Sequence, residues 1–258
     1  MSATRPFSIL VDTTEDRPPD REEVVVCFAD ARRECVRVQD YERVYRVPGL
    51  YEAIVMEKLR CRSPERVASM LAGARRMLGH AHQQPLRVLD LGAGNGVSGE
   101  ALARHGLRPV VAVDIEPGAR AAALRDRPHT YDTYLTADLL SLTASQRRAI
   151  RALMPGALAC VGAIGLDHVP PAALPAALEL LTDDSLLAYT VAAERAGTNG
   201  KEISTRLLAI ADQWLIEELA RERYRHRVTV TGRPIWWEAV IVRARRARTP
   251  WRLDDHTG

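Results

Sequence analysis

A glycine-rich segment near the middle of the chain carries the clearest chemical signal in the sequence. An apolar run over 87–91 leads directly into Gly92-Ala93-Gly94-Asn95-Gly96. Glycine lets the backbone turn sharply and lets a ligand approach bare amide groups, and the start of a following helix adds a favourable field. The segment therefore predicts a strand, a ligand-binding turn and a helix, an arrangement that dinucleotide-binding folds share.

The spacing of these glycines and the acid beside them argue against a dinucleotide. The pyrophosphate fingerprint is G-x-G-x-x-G, and Val97 stands where its third glycine should be. Asp90 precedes Gly92 by two residues. A carboxylate there would repel a pyrophosphate, but it suits a ligand that carries an ammonium group and a sulfonium.

Two further acids end the next apolar runs. Asp114 lies 22 residues after Gly92, where an acid at the tip of the adjacent strand can accept hydrogen bonds from both hydroxyls of a ribose. Asp138 ends the following run, and its carboxylate can accept a hydrogen bond from an adenine amino group. Aspartate is also common at strand ends as a helix cap, so the ordered series of three acids is the stronger indication.

The elements that must position these residues alternate along the chain. Apolar runs predict strands over 87–91, 109–113, 133–135, 157–164 and 186–191, and helical stretches separate them over 99–105, 118–126, 143–153 and 171–181. We also predict a long amphipathic helix over 203–223 and an antiparallel hairpin of 227–231 with 234–242. Alternating strands and helices predict a doubly wound α/β fold, in which helices cover both faces of a parallel sheet.

Together, Asp90-Leu-Gly-Ala-Gly-Asn-Gly, Val113-Asp114-Ile115 and Ala137-Asp138-Leu139 resemble the first three motifs of the class I S-adenosylmethionine-dependent methyltransferases. The resemblance implies a Rossmann-like sheet of seven strands whose last strand, 236–242, is antiparallel. It also implies that the glycine turn holds the methionine part of S-adenosylmethionine, Asp114 the ribose and Asp138 the adenine. The cofactor contacts expected in full are Asp90, Gly92, Ala93, Gly94, Asn95, Gly96, Asp114, Ile115, Asp138, Leu139 and Gly162.

The loop after the fourth strand faces the transferred methyl group in this family, and here it contains Asp167-His168. A neutral imidazole at His168 could remove a proton from the methyl acceptor, with Asp167 beside it. Alternatively, His168 bonds a backbone carbonyl and Asp167 caps the next helix. The Asn-Pro-Pro-aromatic signature of base amino methylation is absent from this loop, which disfavours a DNA or protein-glutamine methylase.

The segment ahead of the glycine motif is expected to cover the cofactor, because helices in this position often form a lid in small-molecule methyltransferases of the family. Tyr45 and Tyr51 are the candidate substrate-lining residues, although ordinary packing would also explain them. We expect four parts: a flexible tail over 1–22, a helical cap over 23–85, the S-adenosylmethionine-binding domain over 86–245 and a flexible tail over 246–258.

Length and composition limit the remaining possibilities. The 258 residues, 47% of them hydrophobic, suit one large α/β domain. No apolar run reaches the roughly 20 residues of a membrane span, and the start of the chain lacks a signal core, so we expect a cytoplasmic protein. The four cysteines and seven histidines show no metal-ligand spacing, and no metal is expected.

The net charge of +3 comes almost entirely from arginine, scattered among acids, which does not favour nucleic acid as a partner. The exception is a cluster of five arginines over 243–252, for which a solvated tail is favoured over a phosphate-binding arm. The expected function is methyl transfer to oxygen or nitrogen of a small molecule. A non-catalytic S-adenosylmethionine-binding module and an NAD-dependent oxidoreductase are the alternatives, and the oligomeric state stays open.

Overall fold

The computed structural model describes residues 5–79, 84–164, 169–193, 201–210 and 213–247. The strands are β1 (Phe7–Leu10), β2 (Glu23–Phe28), β3 (Arg33–Arg37), β4 (Arg87–Leu91), β5 (Arg108–Asp114), β6 (Thr133–Thr136), β7 (Ala157–Cys160), β8 (Ser185–Ala192), β9 (Trp214–Val228) and β10 (Pro234–Arg246). The α-helices are α1 (Tyr41–Arg46), α2 (Ser63–Met77), α3 (Val97–Arg104), α4 (Pro117–Asp126), α5 (Ala144–Ala152), α6 (Ala173–Leu178) and α7 (Lys201–Leu208). A π-helix covers Glu52–Lys58 and a 3₁₀ helix covers Leu139–Ser141.

The main sheet has seven strands in the order β6-β5-β4-β7-β8-β10-β9. Neighbouring strands from β6 to β8 are parallel, whereas β10 runs antiparallel to both β8 and β9. The predicted seven-stranded Rossmann-like sheet with an antiparallel last strand is therefore confirmed. Because the parallel strands converge at one edge, the carboxyl ends of β4, β5, β6 and β7 lie side by side there.

Helices cover both faces of this sheet, as the alternating pattern predicts. Leu89 and Leu91 pack toward residues of α5, α6 and α7, and Val88 packs toward α2 and α3 on the opposite face. All four residues of β7 are buried, as expected for a central parallel strand. Within the described part of the chain, no helix combines the length and apolar character needed to cross a membrane.

The N-terminal segment contains a three-stranded antiparallel sheet that the sequence analysis did not predict, in the order β1-β2-β3. Val24 and Val26 of β2 are buried against Val36 of β3 and a residue of the π-helix, Ile54. Strand β1 falls in the expected flexible tail, where Phe7 pairs with Phe28. Such a short strand, with alternate residues buried, is hard to recognise within a polar stretch. The expected helices of the cap are present as α1, the π-helix and α2.

The predicted long helix over 203–223 is wrong. Among the described residues of that range only α7 is helical, and β9 then pairs with β10 from Trp214 to Val228. The reason is long-range pairing, because the charged and apolar residues of 215–225 fit an edge strand once β10 lies beside them. The predicted hairpin is confirmed, with Gly232 in the left-handed region at φ +89° in its turn.

Candidate active site

A cavity of about 380 Å³ lies over the carboxyl ends of the parallel strands, beneath the N-terminal cap. The sheet side of its wall includes Gly92, Asp114, Ile115, Asp138, Leu139 and Gly162, and the cap side includes Tyr41, Tyr45 and Tyr51. A smaller cavity of about 70 Å³ adjoins the glycine turn and includes Ala93, Gly94 and Asn95 in its wall. The fold thus brings most of the sequence-predicted cofactor contacts and both predicted tyrosines to one place.

The glycine turn has the backbone conformation that requires its composition. Gly92, Gly94 and Gly96 adopt φ of +70°, +55° and +87°, which side-chain-bearing residues rarely adopt. A Cβ atom on Gly92 would lie 2.8 Å from the Cβ of Ala163, so the space there is also closed. The amide of Gly92 donates to the carbonyl of Val113, which fixes the turn to the end of β5.

Asp114 lies at the tip of β5 with its carboxylate beside the turn. One of its oxygens accepts from the amide of Gly94 at 2.8 Å, and the other accepts from the amide of Glu116 at 2.9 Å. An ionised carboxylate offers about four lone-pair sites, which is more than these two amides use. The same side chain that organises the turn can therefore bind a ligand.

Asp138 occupies the tip of β6 and is exposed at the cavity wall. Its carboxylate accepts from the amide of Leu140 at 2.9 Å and from the hydroxyl of Ser141 at 3.2 Å, which caps the 3₁₀ helix. Ile115, which is 65% exposed, and the largely buried Leu139 also belong to this cavity wall. Capping fixes the direction of the Asp138 carboxylate, and the flanking apolar groups suit a planar ring.

Asp90 and Gly96 lie behind the turn and line neither cavity. Asp90 is fully buried on the face of β4 that Val88 shares, and its Oδ2 accepts from the hydroxyl of Tyr131 at 2.7 Å. Its other oxygen has no hydrogen-bond partner among the described residues. Gly96 packs against Arg127 and Tyr131. This geometry supports the turn from beneath, and the expected ligand contacts of these two residues stay predictions.

Burial raises the pKa of Asp90 to about 7, above the value of roughly 3.9 in an unfolded chain. The folded protein therefore binds the Asp90 proton more tightly than the unfolded chain does. The protonated carboxyl group contributes stability that is fully present below about pH 4 and is lost as the pH rises through 7. The variant Asp90→Asn keeps an oxygen that can accept from the Tyr131 hydroxyl, but it has no carboxyl group that can lose a proton. We expect its melting temperature to fall less than that of the wild type between pH 5 and pH 8. Parallel profiles for the two proteins would contradict the raised pKa.

The cap contacts the turn through aromatic residues. The rings of Tyr41 and Tyr45 are stacked with centroids 5.6 Å apart, and Tyr45 and Tyr51 are also 5.6 Å apart. The Tyr45 hydroxyl lies so close to Gly94 that a Cβ added there would be 2.5 Å from it. Tyr134 donates its hydroxyl to the carbonyl of Gly94 at 2.6 Å. The predicted lining residue Tyr45 therefore lies directly over the glycine turn, and Tyr51 lies beside Tyr45 in the walls of both cavities.

A polar network that sequence reasoning missed also joins the cap to the turn. Asn95 donates its side-chain amide to Glu52 of the π-helix at 2.8 Å. Arg127 pairs with Glu52 at 2.7 Å and with Glu100 at 2.9 Å, and it donates to the carbonyl of Asn95. This network gives Asn95 a role in holding the cap in place. Nothing local in the sequence links these residues.

A second missed cluster borders the smaller cavity. The Ser63 hydroxyl lies 2.6 Å from Nδ1 of His226 and 2.5 Å from the hydroxyl of Tyr224. His226 stacks on Trp237, and its burial lowers its pKa to about 3, so that its imidazole is neutral. Ser63 and His226 are separated by 163 positions in the chain, so only the folded sheet brings them together.

The predicted catalytic pair, Asp167 and His168, lies outside the described residues, and its role stays a prediction. The chain on either side of this pair reaches the large cavity, because Ala163, Val169 and Pro170 contribute to its wall.

Comparisons with known proteins agree with this architecture. No protein-family model matches the chain, and no curated protein matches it. Among solved structures, it is similar to a candidate RNA methyltransferase of Pyrococcus horikoshii, with 15% identity, a TM-score of 0.50, and coverage of 73% of this chain and 88% of that one. The N-methyltransferase NodS of Bradyrhizobium japonicum has 14% identity, a TM-score of 0.49, and coverage of 82% and 98%. Together with the sheet order, the similarity to the Pyrococcus structure shows the Rossmann-like fold of methyltransferases that the motifs implied.

Proposed function

We propose that the protein transfers a methyl group from S-adenosylmethionine to an oxygen or nitrogen atom of a small molecule. One observation carries this proposal, namely that Gly92 of the left-handed glycine turn and two strand-tip carboxylates, Asp114 and Asp138, line the same cavity beneath the cap. The donor is a cationic nucleoside, and this lining offers carboxylates for the sugar and the base and bare backbone for the amino-acid part.

The residues present fit this donor. Asp114 would accept from the ribose hydroxyls, Asp138 from the adenine amino group, and Ile115 and Leu139 would contact the faces of the base. A Cβ at Gly94 would lie 2.5 Å from the Tyr45 hydroxyl, so glycine at this position lets the cap approach the turn that would hold the methionine part. When bound, S-adenosylmethionine supplies a methyl group on a positively charged sulfur, which is ready for transfer to a nucleophile.

The residues of this chain would position the acceptor and exclude water from the cavity. The cap tyrosines cover the turn, so a bound acceptor would be held in line with the donor, and alignment of this kind accounts for a large part of the rate of many transfers. His168, with Asp167, is the proposed group that removes a proton from the acceptor, although methyl transfer proceeds without a base where the acceptor atom is already a good nucleophile.

A small acceptor is favoured over nucleic acid by the charge pairing of the C-terminal arginines. Arg243 pairs with Asp184 at 2.5 Å, and Arg246 pairs with Glu179 at 3.2 Å. Both lie in β10 rather than in an extended arm, so part of the positive charge near the C-terminus is already neutralised. Two of the three described arginines of this cluster are therefore already paired with acids, which reduces the charge available to phosphate groups.

Ligand-induced thermal stabilisation tests the donor. A ligand that binds the folded state at 100 times its Kd stabilises by about 2.7 kcal/mol, which raises the melting temperature of a domain of this size by roughly 5–10 °C. We expect S-adenosylmethionine and S-adenosylhomocysteine to give such a shift, and NAD to give none. A shift with NAD alone would indicate the oxidoreductase alternative.

Mass spectrometry of a metabolite extract incubated with the protein and a labelled methyl donor then tests transfer. We expect a small-molecule product that is heavier by one labelled methyl group. Donor binding without transfer to any component would favour a non-catalytic binding module.

A further inference from the structure

The wall that the cap contributes to the large cavity is acidic and aromatic. Five carboxylates and one guanidinium line the whole cavity, and of these Asp40, Glu42 and Arg37 come from the cap. Asp114 and Asp138 are assigned to the donor in the proposed function. Asp40 and Glu42 are therefore extra negative charges next to the place where an acceptor must enter.

These two cap carboxylates are only lightly neutralised. Asp40 accepts from the amide of Arg43 at the start of α1, which uses one oxygen as a helix cap. Glu42 pairs with Arg46 at 2.7 Å, but both side chains are about 70% exposed. Exposed pairs of this kind contribute little and are readily rearranged. The two carboxylates can therefore attract a cation to this wall.

Tyr45 supplies an independent indication of a ligand. It is 7% exposed and lines both cavities, and its phenol oxygen has no hydrogen-bond partner among the described residues. Because this oxygen is not among the fully buried atoms that lack a partner, it is open to the cavity, where a ligand can donate a hydrogen bond to it. Its ring lies between those of Tyr41 and Tyr51. Clustered aromatic faces attract cations through their negative quadrupole.

Resting on the proposed function, we propose that the methyl acceptor is an amine, which enters as an ammonium ion between the tyrosine cluster (Tyr41, Tyr45 and Tyr51) and the two cap carboxylates. An ammonium group gains from the carboxylates and from the aromatic faces, and its N–H groups can donate to the phenol oxygen of Tyr45. A neutral alcohol gains only the hydrogen bond, and a carboxylate acceptor is repelled by Asp40 and Glu42.

Methyl transfer to an amine conserves atoms and charge. The ammonium ion first loses one proton to water at the cavity mouth, which frees the nitrogen lone pair. That lone pair forms a bond to the methyl carbon of the donor while the carbon–sulfur bond breaks, and its electron pair stays on sulfur. The products are a neutral thioether and a methylated ammonium ion. Positive charge passes from sulfur to nitrogen, so the acidic wall faces a cation before and after transfer.

Calorimetry with simple probes tests the inference without knowledge of the natural acceptor. Benzylammonium, benzyl alcohol and benzoate are titrated into the protein saturated with S-adenosylhomocysteine. We expect benzylammonium to bind at least 10-fold more tightly than benzyl alcohol, and benzoate to bind more weakly than either. In the double variant Asp40→Asn and Glu42→Gln, this preference should disappear while the affinity for S-adenosylhomocysteine changes less than 2-fold. Asparagine retains the helix cap at position 40.

A matched double variant removes two carboxylates elsewhere. Asp30→Asn and Glu57→Gln alter side chains that are exposed and outside the cavity wall, and we expect the amine preference to survive in it. Equal binding of alcohol and amine, or no detectable binding of benzylammonium at millimolar concentration, would overturn the amine inference alone. A loss of S-adenosylhomocysteine affinity in the Asp40 and Glu42 variant would reassign this wall to the donor. Absence of S-adenosylhomocysteine binding in the unaltered protein would overturn the proposed function as well.

Discussion

The variant Asp114→Asn is expected to bind S-adenosylhomocysteine about 100-fold more weakly than the unaltered protein. Hydrogen bonds to a charged group contribute about 1.5–3 kcal/mol each, and the amide removes the charge and offers only one acceptor oxygen. A total loss of about 2.7 kcal/mol corresponds to about 100-fold in Kd. The remaining oxygen can still accept from the amide of Gly94, which holds the turn, whereas the amide of Glu116 loses its acceptor and faces the side-chain NH2 group. Isothermal titration calorimetry measures the change directly.

Asp132→Asn provides the matched control. Asp132 lies just before β6, at the opposite end of the same strands, where its exposed carboxylate pairs with Arg108 at 3.0 Å. We expect this variant to bind S-adenosylhomocysteine within 2-fold of the unaltered protein, and Asp114→Asn to keep a cooperative urea transition despite the hydrogen bond lost at Glu116. If Asp114→Asn binds within 3-fold of the unaltered protein, its carboxylate does not contact the sugar, and the donor orientation proposed above is wrong.

The parts of the site that sequence could predict are those fixed by local chain geometry. Gly92, Gly94 and Gly96 have positive φ angles, which favour glycine. The spacing of the glycines therefore predicts the conformation of the turn. Asp114 and Asp138 follow successive apolar runs, and the carboxyl ends of neighbouring parallel strands meet at the same edge of a sheet. Their common position over the sheet therefore follows once the strands are recognised.

Side-chain direction at a strand end is harder to derive. Successive side chains of a strand point to opposite faces. Asp90 shares the face of Val88, and there it packs beneath the turn against Tyr131 instead of facing the cavity. The sequence shows an acid two residues before Gly92. Its carboxylate accepts from the hydroxyl of Tyr131, which lies 41 positions further along the chain, and the local sequence does not reveal this partner. For this reason a carboxylate next to the glycine motif is positioned to support the turn.

Long-range pairing accounts for the larger errors. The segment 215–225 has enough apolar residues at helical spacing to resemble an amphipathic helix, and only β10 alongside it makes it a strand. The sheet of β1, β2 and β3 likewise depends on contacts with α1 and the π-helix. The Ser63 and His226 pair arises because α2 begins against the end of β9. None of these partners is adjacent in the chain, so no local pattern encodes them.

The substitution Gly92→Ala is expected to remove both stability and donor binding. At φ +70° an alanine is strained by about 1–2 kcal/mol, and its Cβ would lie 2.8 Å from that of Ala163, which forces the backbone to shift. Overpacking of this kind costs about 1–3 kcal/mol more. We therefore expect the free energy of unfolding in urea to fall by about 3 kcal/mol, and the affinity for S-adenosylhomocysteine to fall at least 10-fold because the turn moves.

The variant Gly106→Ala distinguishes the cost of backbone strain from the cost of the steric contact that a Cβ at Gly92 would make. Gly106 has nearly the same conformation, at φ +74°, but nothing lies within 4 Å of the position its Cβ would occupy. This variant should lose only about 1–2 kcal/mol of folding stability, because of backbone strain, and should bind S-adenosylhomocysteine as the unaltered protein does. The difference between the two variants then measures the close approach of the turn to Ala163. If both variants lose the same stability and retain the same affinity, the close approach of Gly92 to Ala163 constrains neither the fold nor the donor site, and the expectation for Gly92→Ala is wrong.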